Sequence, residues 1–424
     1  MAMSTLDSSR VFARWEDVHV AVNIPHYARP TKKLSRHYIN DTQAASLEAS
    51  VAVAWTPADE ELLWDMAQVG CPPDSPARND SRASNPSSPH DAPNGLPYSS
   101  FRGYVQNVTS AKDLCHRLSL HEIHGVFKDS LYLSATHQLM PIFGGIKLPL
   151  SNDILIPSAA HIAASLESDT PLNAMQKNKP FEDKSSVMVW HGVRRERNVN
   201  STHDHQERFV ATLDTATVRE LEMRPEMIDN GLNLAYTAYK QYRDMATDRA
   251  DIATWLGHVA SVELTDPPCI ASECEHGHRI YKSTHHATME QQLKYKLLAD
   301  IDGESPSSRF HDILRSTSAP VKATIFNEWH DSRLIPWLHY IPMDPSFIDV
   351  YGILDYFLGN GKVFRAEDGK RAIYGAHEEA AHKIAVEGKK WADKVLRAED
   401  MQVYTLRLLL EYARLYNDNR TRSG

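Results

Sequence analysis

The sequence predicts an α/β fold with parallel strands, and three features of one segment carry that prediction. Lys294–Ile301 is a short apolar run typical of a buried strand. A loop rich in Gly, Ser and Pro follows, and then Phe310, Ile313 and Leu314 recur at helical spacing. Val321–Phe326 is a second apolar run. The segment therefore has the order of a βαβ unit, whose loop lies at the carboxyl edge of a parallel sheet.

The loop of this unit has the features of a phosphate site. Ser307 or Ser308 is placed to cap the helix, whose first backbone amides point outwards without partners. Arg309 follows in the first turn, where a cation is unfavourable for the helix dipole unless an anion joins it. The other interpretation is a surface arginine beside an ordinary cap, and these residues alone do not separate the two.

Length and composition limit the class of protein. The chain has 424 residues with 42% hydrophobic content, which predicts a globular protein of two or three domains. The net charge of -9 argues against nucleic acid or an anionic membrane surface as the main partner. The sequence contains no GxGxxG, GxxxxGK[ST] or GxSxG motif, so it does not support dinucleotide, P-loop or serine-hydrolase chemistry.

Metal binding has to be considered because the chain contains 22 histidines. The pair His377 and His382 in HEEAAH is separated by five residues, which places the rings about 140° apart on a helix rather than on one face. His276, His278 and Cys274 form a conceivable zinc trio, but no second cysteine pair at finger spacing accompanies them. We therefore expect no metal site.

The first half of the chain contains short predicted strands and one long loop. Val18–Ile24 alternates between apolar and polar residues and predicts a strand. Residues 71–97 are dense in Pro, Ser, Asn and Asp and cannot bury a core, which predicts a long mobile loop. Leu131–Leu133 and Leu139–Phe143 predict further strands, and Asp153 lies in a turn next to an apolar pair.

Four stretches carry a resemblance to a known family. KYKLLADIDGESPSSRF, then NEW, then PWLHYIPM follow one another between residues 294 and 343, and SVMVWHGVRRER precedes a helix entered through Arg208. In order and spacing these stretches resemble glycosyltransferase family 90, which includes fungal capsule-associated xylosyltransferases and animal protein O-glucosyltransferases. The resemblance extends from about Val20 to Leu415.

The resemblance implies a GT-B arrangement, in which two Rossmann-like domains face each other across a cleft. We expect an acceptor-side half at residues 1–165, which includes the mobile loop 71–97, and a donor-binding half at 185–375. Residues 376–424 are expected to form closing amphipathic helices.

The resemblance also implies a general base, and here the sequence departs from the family. The family's strand end carries an Asn-x-x-Asp-x-Pro-like motif whose Asp is the base. Asn23 fits this motif, but His26 occupies the acidic position. Imidazole accepts a proton at neutral pH, so His26 is one candidate base, and Asp153 is the nearest acidic alternative.

The donor site implied by the resemblance lies in the second half of the chain. Arg208 and Arg309 are expected to clamp the diphosphate, because guanidinium meets phosphate through two parallel charge-assisted bonds. The family usually has Arg where His191 precedes Gly192, which is a second departure. The expected donor-binding residues are Gly192, Arg208, Ser308, Arg309, Phe310 and Glu328, and the expected supporting residues are Trp190 and Asp229.

The activity implied by the resemblance is inverting, metal-independent transfer of xylose or glucose from a UDP-sugar to a hydroxyl of a glycan or glycoprotein. The resemblance also implies the secretory pathway and an amino-terminal membrane anchor missing from this chain. Five N-x-Ser/Thr sequons fit that compartment, which also permits disulfides between Cys71 and Cys115 and between Cys269 and Cys274. Four reduced thiols are the alternative. The rival function is a family member that binds nucleotide or glycan without turnover, because His26 and His191 depart from the family pattern.

Overall fold

A computed structural model gives the fold. It describes residues 2–3, 9–11, 56–57, 60–79, 100–101, 104–128, 134–136, 141–158, 161–162, 179–193, 205–223, 233–245, 251–265, 287–303, 307, 309–359, 363–365, 371–373 and 375–416.

The amino-terminal part of the chain consists of short strands and short helices. The strands are β1 Ala2–Met3, β2 Ser9–Val11, β3 Thr56–Pro57, β4 Ser100–Phe101, β5 Tyr104–Val105, β6 Ser134–Thr136, β7 Ile142–Gly144, β8 Ile146–Lys147 and β9 Ile154–Leu155. The helices are α1 Glu60–Gln68, α2 Pro76–Asn79, α3 Val108–Ala111, α4 Ser119–Ile123 and α5 Gly125–Lys128. Most of these strands form sheets of two or three members, in the orders β1-β7-β9, β2-β6-β3 and β4-β5.

The carboxyl-terminal part has longer elements. Its strands are β10 Ser185–Val193, β11 Ala260–Thr265, β12 Tyr295–Ile301, β13 Ala319–Ala323, β14 Asn327–Glu328, β15 Ile341–Pro342, β16 Val363–Arg365 and β17 Arg371–Ile373. Its helices are α6 His205–Leu213, α7 Thr215–Met223, α8 Asn233–Met245, α9 Ile252–Val259, α10 Met289–Gln292, α11 Phe310–Arg315, α12 Val350–Leu358, α13 Glu378–Val395 and α14 Ala398–Tyr416.

The centre of this part is a parallel sheet of five strands in the order β11-β10-β12-β13-β15. The predicted βαβ unit is confirmed as β12, α11 and β13, with Leu298 opposite Pro320 in the parallel register. β12 is buried after its first residue and β13 is buried throughout, which explains why both read as continuous apolar runs. The protein is therefore a mixed α/β fold, as the sequence predicts.

The order of the strands defines a topological switch point. The chain builds β10 first, places β11 on one side of it, and then places β12, β13 and β15 in sequence on the other side. In sheets of this order ligands bind in the crevice outside the carboxyl ends of the first and third strands, which here are β10 and β12.

Two buried clusters show how the amino-terminal part is attached. The larger cluster covers the sheet and includes Trp190, Leu297 and Tyr351. A second cluster joins residues of α1 and the 114–150 region to Ile325 and Phe326, which follow β13. In addition, β14 pairs antiparallel with β8. The segment after β13 is thus packed directly against amino-terminal residues.

Part of the predicted mobile loop is ordered, and it carries one of the permitted disulfides. Cys71 is buried and forms a disulfide with Cys115, and residues 76–79 form helix α2. Cross-linking holds this proline-rich stretch against the second cluster although its own side chains bury little surface. The rest of the loop, the strand predicted at Val18–Ile24 and the Cys269–Cys274 pair lie outside the described residues.

The segment expected to form closing helices contains α13 and α14. Ala381, Ile384 and Ala385 of α13 pack into the main cluster. Within the part of the chain that the structure describes, no helix has both the length and the apolar character needed to cross a membrane.

Candidate functional site

Arg309 lies at the switch point of the parallel sheet. Its Nη1 donates to the carbonyl of His191 in β10 at 3.0 Å, and its Nη2 donates to Gln292 Oε1 at 2.8 Å and approaches the carbonyl of Ala299 in β12 at 3.5 Å. Its Nε is buried without a hydrogen-bonding partner among the described residues. One donor of a buried guanidinium is therefore left for a group outside these contacts.

The start of α11 differs from the sequence prediction. The cap position is Arg309 itself, in helical conformation and without a side-chain cap. A hydroxyl cap is absent because the helix begins at Phe310, one residue later than a cap at Ser308 requires. Ser308 lies outside the described residues, so its predicted donor contact stays a prediction.

Gly192 and Trp190 occupy the last part of β10. Trp190 is buried in the main cluster and packs edge-on against Phe209 with ring centroids 5.7 Å apart. A Cβ at Gly192 would lie 2.4 Å from the Trp190 ring. The glycine is therefore required locally to make room for the indole, and its predicted contact with phosphate stays a prediction. The intervening His191 faces β11, with Nε2 3.3 Å from Ser261 Oγ.

Arg208 connects two distant segments from the second turn of α6. Its Nη1 donates to the carbonyl of Ile123 at 2.6 Å, and its Nη2 donates to the carbonyl of Pro345 at 3.1 Å. The guanidinium also lies over the Phe347 ring, 5.0 Å from its centroid. These contacts give the side chain a structural role in this arrangement, and a diphosphate contact would have to be added to them or replace them.

A pair of stacked histidines contacts Asp302, the residue that follows β12. The rings of His124 and His205 stack with centroids 3.9 Å apart. His205 accepts at Nδ1 from the Gly125 amide at 3.1 Å and donates from Nε2 to the carbonyl of Asp302. Burial raises the pKa of Asp302 to about 7, and its carboxylate accepts from the amide of Ile325 at 2.8 Å.

A buried ion-pair group lies beside Phe310. Lys322 Nζ lies 3.2 Å from Asp300 Oδ2 and 3.0 Å from Glu328 Oε1, and it lies 3.9 Å from the centroid of the Phe310 ring. Burial alone would raise the pKa of Glu328, but the Lys322 ammonium outweighs it and lowers that pKa to about 2. Glu328 is therefore ionised at neutral pH, and Phe310 covers the ammonium.

Three buried histidines meet behind this group, although no local spacing in the sequence indicates it. His161, His311 and His330 each contribute a ring nitrogen to a group in which these atoms lie within 4.8 Å of one another. Burial lowers the pKa of His161 to about 4 and lowers the pKa of the other two as well. All three rings are therefore neutral at pH 7.

A cleft of about 650 Å³ opens in front of Glu328. Its walls come from both halves that the sequence predicts, and they combine amide, carboxylate, ammonium and aromatic groups. Its polar and aromatic lining residues are Gln106, Asn107, Thr109, Lys112, Asn327, Glu328, Trp329, Asp331, Ser332, Tyr340 and Tyr404. Such a mixture of hydrogen-bonding groups and flat apolar rings suits a carbohydrate, which presents hydroxyls at its edge and C–H groups on its faces.

Asp153 lies close to this cleft but not in its wall. It is buried, it accepts from the Ser151 hydroxyl, and it precedes Leu155, a lining residue, by two positions. Asp331 lines the cleft directly, with its side chain 34% exposed and Oδ2 3.0 Å from Lys112 Nζ. The predicted base His26 and the predicted supporting residue Asp229 lie outside the described residues.

The sequence analysis missed several cleft residues. Trp329, Asp331 and Tyr340 lie within the segment that carries the family resemblance, so their position there was the available signal. Lys112 and Tyr404 come from distant parts of the chain and join the site only through folding. No periodicity or motif links them.

Comparisons with known proteins show which proteins this chain resembles. The model of the family described as Glycosyl transferase family 90 matches residues 235–423. The chain is 27% identical over 132 residues to Protein O-glucosyltransferase 1 of Rattus norvegicus, which covers 30% of this chain and 29% of the relative. It is 23% identical over 325 residues to Protein O-glucosyltransferase 2 of Danio rerio, which covers 73% of this chain and 57% of the relative.

The chain thus spans less than two thirds of the length of either relative. The matched region nevertheless contains β11 to β15, Arg309 and the carboxyl-terminal wall of the cleft. The resemblance predicted from the four sequence stretches is confirmed, because the glycosyltransferase family 90 model matches residues 235–423 and both relatives are O-glucosyltransferases.

Proposed function

We propose that this protein transfers glucose or xylose from a UDP-sugar to a hydroxyl of a glycan or glycoprotein. The family match supports glycosyl transfer, and the names of the two relatives make UDP-glucose the first donor to test. We further propose that the transfer inverts the anomeric configuration and needs no divalent ion at the diphosphate. The two predicted halves would face each other in a GT-B arrangement.

The observation that carries this proposal is the position of Arg309. The side chain contacts both β10 and β12. Sheets of this topology bind their ligands in the crevice outside the carboxyl ends of these two strands. Its buried Nε has no partner in the described part of the chain, and a phosphate oxygen is a suitable acceptor for it. The cleft supports the proposed binding of the acceptor, because it is lined by Asn107 and Lys112 of one predicted half and by Asn327 and Asp331 of the other.

The chemistry needs a base, an electrophilic carbon and a stabilised leaving group. His26 or Asp153 would accept the proton of the acceptor hydroxyl while its oxygen attacks the anomeric carbon. The bond from that carbon to the diphosphate oxygen breaks on the opposite face, and UDP leaves with the electron pair. Arg309, with Arg208 if it exchanges its carbonyl contacts, would neutralise the charge that develops on the diphosphate. Arginine in this role removes the need for a metal ion at the diphosphate.

The rival proposal is a family member that binds nucleotide or glycan but does not turn over. The specific observations behind it are His26 and His191, which depart from the family pattern, and the contact of His191 with Ser261 rather than with the cleft. The two proposals differ in one measurable property. A competent enzyme releases UDP from its donor slowly even without an acceptor, whereas a binding protein does not.

The direct experiment is calorimetry of the full chain with UDP, UDP-glucose, UDP-xylose and GDP-mannose in EDTA, followed by an assay for released UDP. We expect binding of UDP and of one UDP-sugar, with UDP release from that sugar. Binding without release would favour the rival. The absence of any response to all four compounds would contradict both proposals.

Replacement of Arg309 tests the donor site. Arg309→Ala is expected to weaken UDP binding by about 10- to 100-fold, which corresponds to about 1.4 to 2.8 kcal/mol, because a charge-assisted hydrogen bond is lost. Arg414→Ala is the matched control, since the partner of this exposed arginine among the described residues is Glu411 on the same helix. Unchanged UDP affinity in folded Arg309→Ala would refute the diphosphate role.

The choice of base is tested separately. His26→Ala and Asp153→Asn are expected to retain UDP binding, and the variant that removes the base is expected to lose transfer. Retention of full transfer in both variants would exclude both residues and direct attention to Asp331, which lines the cleft.

We also propose a location in the lumen of the secretory pathway, with a membrane anchor outside this chain. The disulfide between Cys71 and Cys115 supports this, because such bonds persist in oxidising compartments. Mass spectrometry of the intact protein without reductant is expected to find this pair oxidised. Fully reduced thiols in protein taken from its native compartment would contradict the location.

A further inference from the structure

The histidine trio behind the cleft has unusual geometry for three core side chains. His161, His311 and His330 are 3%, 4% and 0% exposed. His311 Nε2 lies 3.2 Å from His330 Nδ1, and the ring of His161 stacks on that of His311 with centroids 3.8 Å apart. The three residues come from segments separated by 150 and 19 positions, so the fold brings them together.

The trio has hydrogen-bonding capacity that its described surroundings do not use. Both ring nitrogens of His161, Nε2 of His330 and Oε2 of the adjacent Glu328 are buried without a partner among the described residues. Each such atom destabilises the folded protein when it stays unsatisfied. The hydrogen bond between His311 and His330 uses one nitrogen of each ring, and it leaves the ring nitrogens of His161 without a partner among the described residues. A ligand that accepts several lone pairs at once would satisfy this group.

The surrounding charges favour a cation. Asp300 and Glu328 share Lys322, and Asp331 pairs with Lys112 at 3.0 Å. Three carboxylates therefore face two ammonium groups, while the Arg315 guanidinium also acts on His311. His330 Nε2 lies 3.8 Å from Glu328 Oε1 and 3.9 Å from Asp331 Oδ1, so two carboxylates are close to this ring nitrogen.

We propose that His161, His311 and His330 form a three-ligand binding site for a divalent transition-metal ion, with Zn²⁺ as the best match. Imidazole is a ligand that Zn²⁺ accepts, and three histidines leave its fourth position for water. Two nitrogens on one tetrahedral zinc lie about 3.4 Å apart, given bonds of about 2.0–2.1 Å. The observed 3.2 Å between His311 and His330 is close to this separation.

The ion would be structural. Its ligands are enclosed, and it would tie the segment at His161 to the first turn of α11 and to the turn that follows β14. His311 is two residues from Arg309, so the ion would also fix the start of the helix that carries this arginine. The inference does not depend on the proposed transfer reaction, in which the diphosphate is neutralised by arginine.

The first test is the metal content of the purified full chain, measured by mass spectrometry of the elements after gel filtration. We expect about one zinc ion per chain, as an enclosed site with three histidine ligands retains its metal. After the metal is removed with a strong chelator, added Zn²⁺ is expected to raise the melting temperature. Added Co²⁺ is expected to give the visible absorption of a tetrahedral site. A folded protein with no zinc and no response to either ion would overturn the proposal.

Variants then locate the site. His161→Ala is the most informative, because this ring has no protein hydrogen bond to lose among the described residues. We expect its zinc content to fall to near zero, and His330→Gln provides a second variant of similar volume if the first does not fold. His116→Ala is the control, since the partner of this exposed ring in the described part of the chain is Asp113 on the surface. Zinc content equal to that of the wild type in both folded trio variants would assign the metal to other histidines and refute this site.

Discussion

Two buried histidine clusters in this protein look alike but differ in how completely their nitrogens are used. In the first, His205 accepts from Gly125 and donates to the carbonyl of Asp302, and its stacked neighbour His124 accepts from the amide of Val126 at 3.3 Å. In the second, His161 stacks just as closely on its neighbour, yet neither of its nitrogens has a described partner. The difference teaches that burial and stacking alone do not identify a binding site, whereas a concentration of unused donors and acceptors does.

Removal of the cation beside the second cluster should have the largest effect on stability. Lys322→Met leaves Asp300 and Glu328 buried without their common partner, and we expect a loss of about 3–5 kcal/mol in the free energy of unfolding. Urea denaturation measures it. Lys390→Met is the control, because its pair with Glu387 is exposed and its loss should change stability by less than about 1 kcal/mol. Equal losses in the two variants would contradict the ionised state of the buried group.

Replacing one histidine of each cluster by alanine compares what the two clusters contribute to the free energy of unfolding. His205→Ala leaves the Gly125 amide without its partner and removes one of the two donors to the Asp302 carbonyl, so we expect a loss of about 1–3 kcal/mol that added zinc does not change. His161→Ala breaks no hydrogen bond in the described region, so in zinc-free protein its loss should be smaller. In zinc-loaded protein the order should reverse. An order that stays the same with and without zinc would remove the distinction between the clusters.

The pH dependence of stability should report on the first cluster. Burial raises the pKa of Asp302 to about 7 in the folded protein, above the value of about 3.9 for an unfolded chain. The folded state thus holds this proton more strongly, so its contribution to stability is complete below about pH 4 and is lost as the pH rises to about 7. Asp302→Asn should remove a slope of up to about 1.4 kcal/mol per pH unit in that interval. Urea midpoints at pH 4.5, 6 and 7.5 measure it, and an unchanged slope would contradict the assignment.

How much of the fold and of the candidate site could be predicted from the sequence depends on how far apart the residues involved lie along the chain. The unit β12, α11 and β13 was predictable because each element is a continuous pattern and the connections are short. The cleft was only partly predictable, since Trp329 and Tyr340 lie in a recognisable segment whereas Tyr404 joins them through the packing of α14.

The candidate metal site was not predictable at all. The search by spacing examined pairs such as His377 and His382, which lie close in sequence, but a ligand set can also come from remote segments. His161 lies in a polar stretch that has no periodic pattern, and His330 follows a two-residue strand. Only the packing of α11 against these segments brings the rings together, and local sequence patterns do not encode that packing.

A third buried histidine provides the smallest effect and the strictest test of the comparison. His121 stacks on Trp64 with ring centroids 4.3 Å apart, and its Nδ1 is buried without a partner among the described residues. Here the unused nitrogen is isolated, because none of the metal-ligating groups identified in the described region includes it. His121→Phe keeps a stacked ring and removes the unsatisfied atom, so stability should change by less than about 1 kcal/mol and zinc content should not change. Loss of zinc in this variant would show that isolated unused nitrogens also bind metal, and the distinction drawn from the trio would then fail.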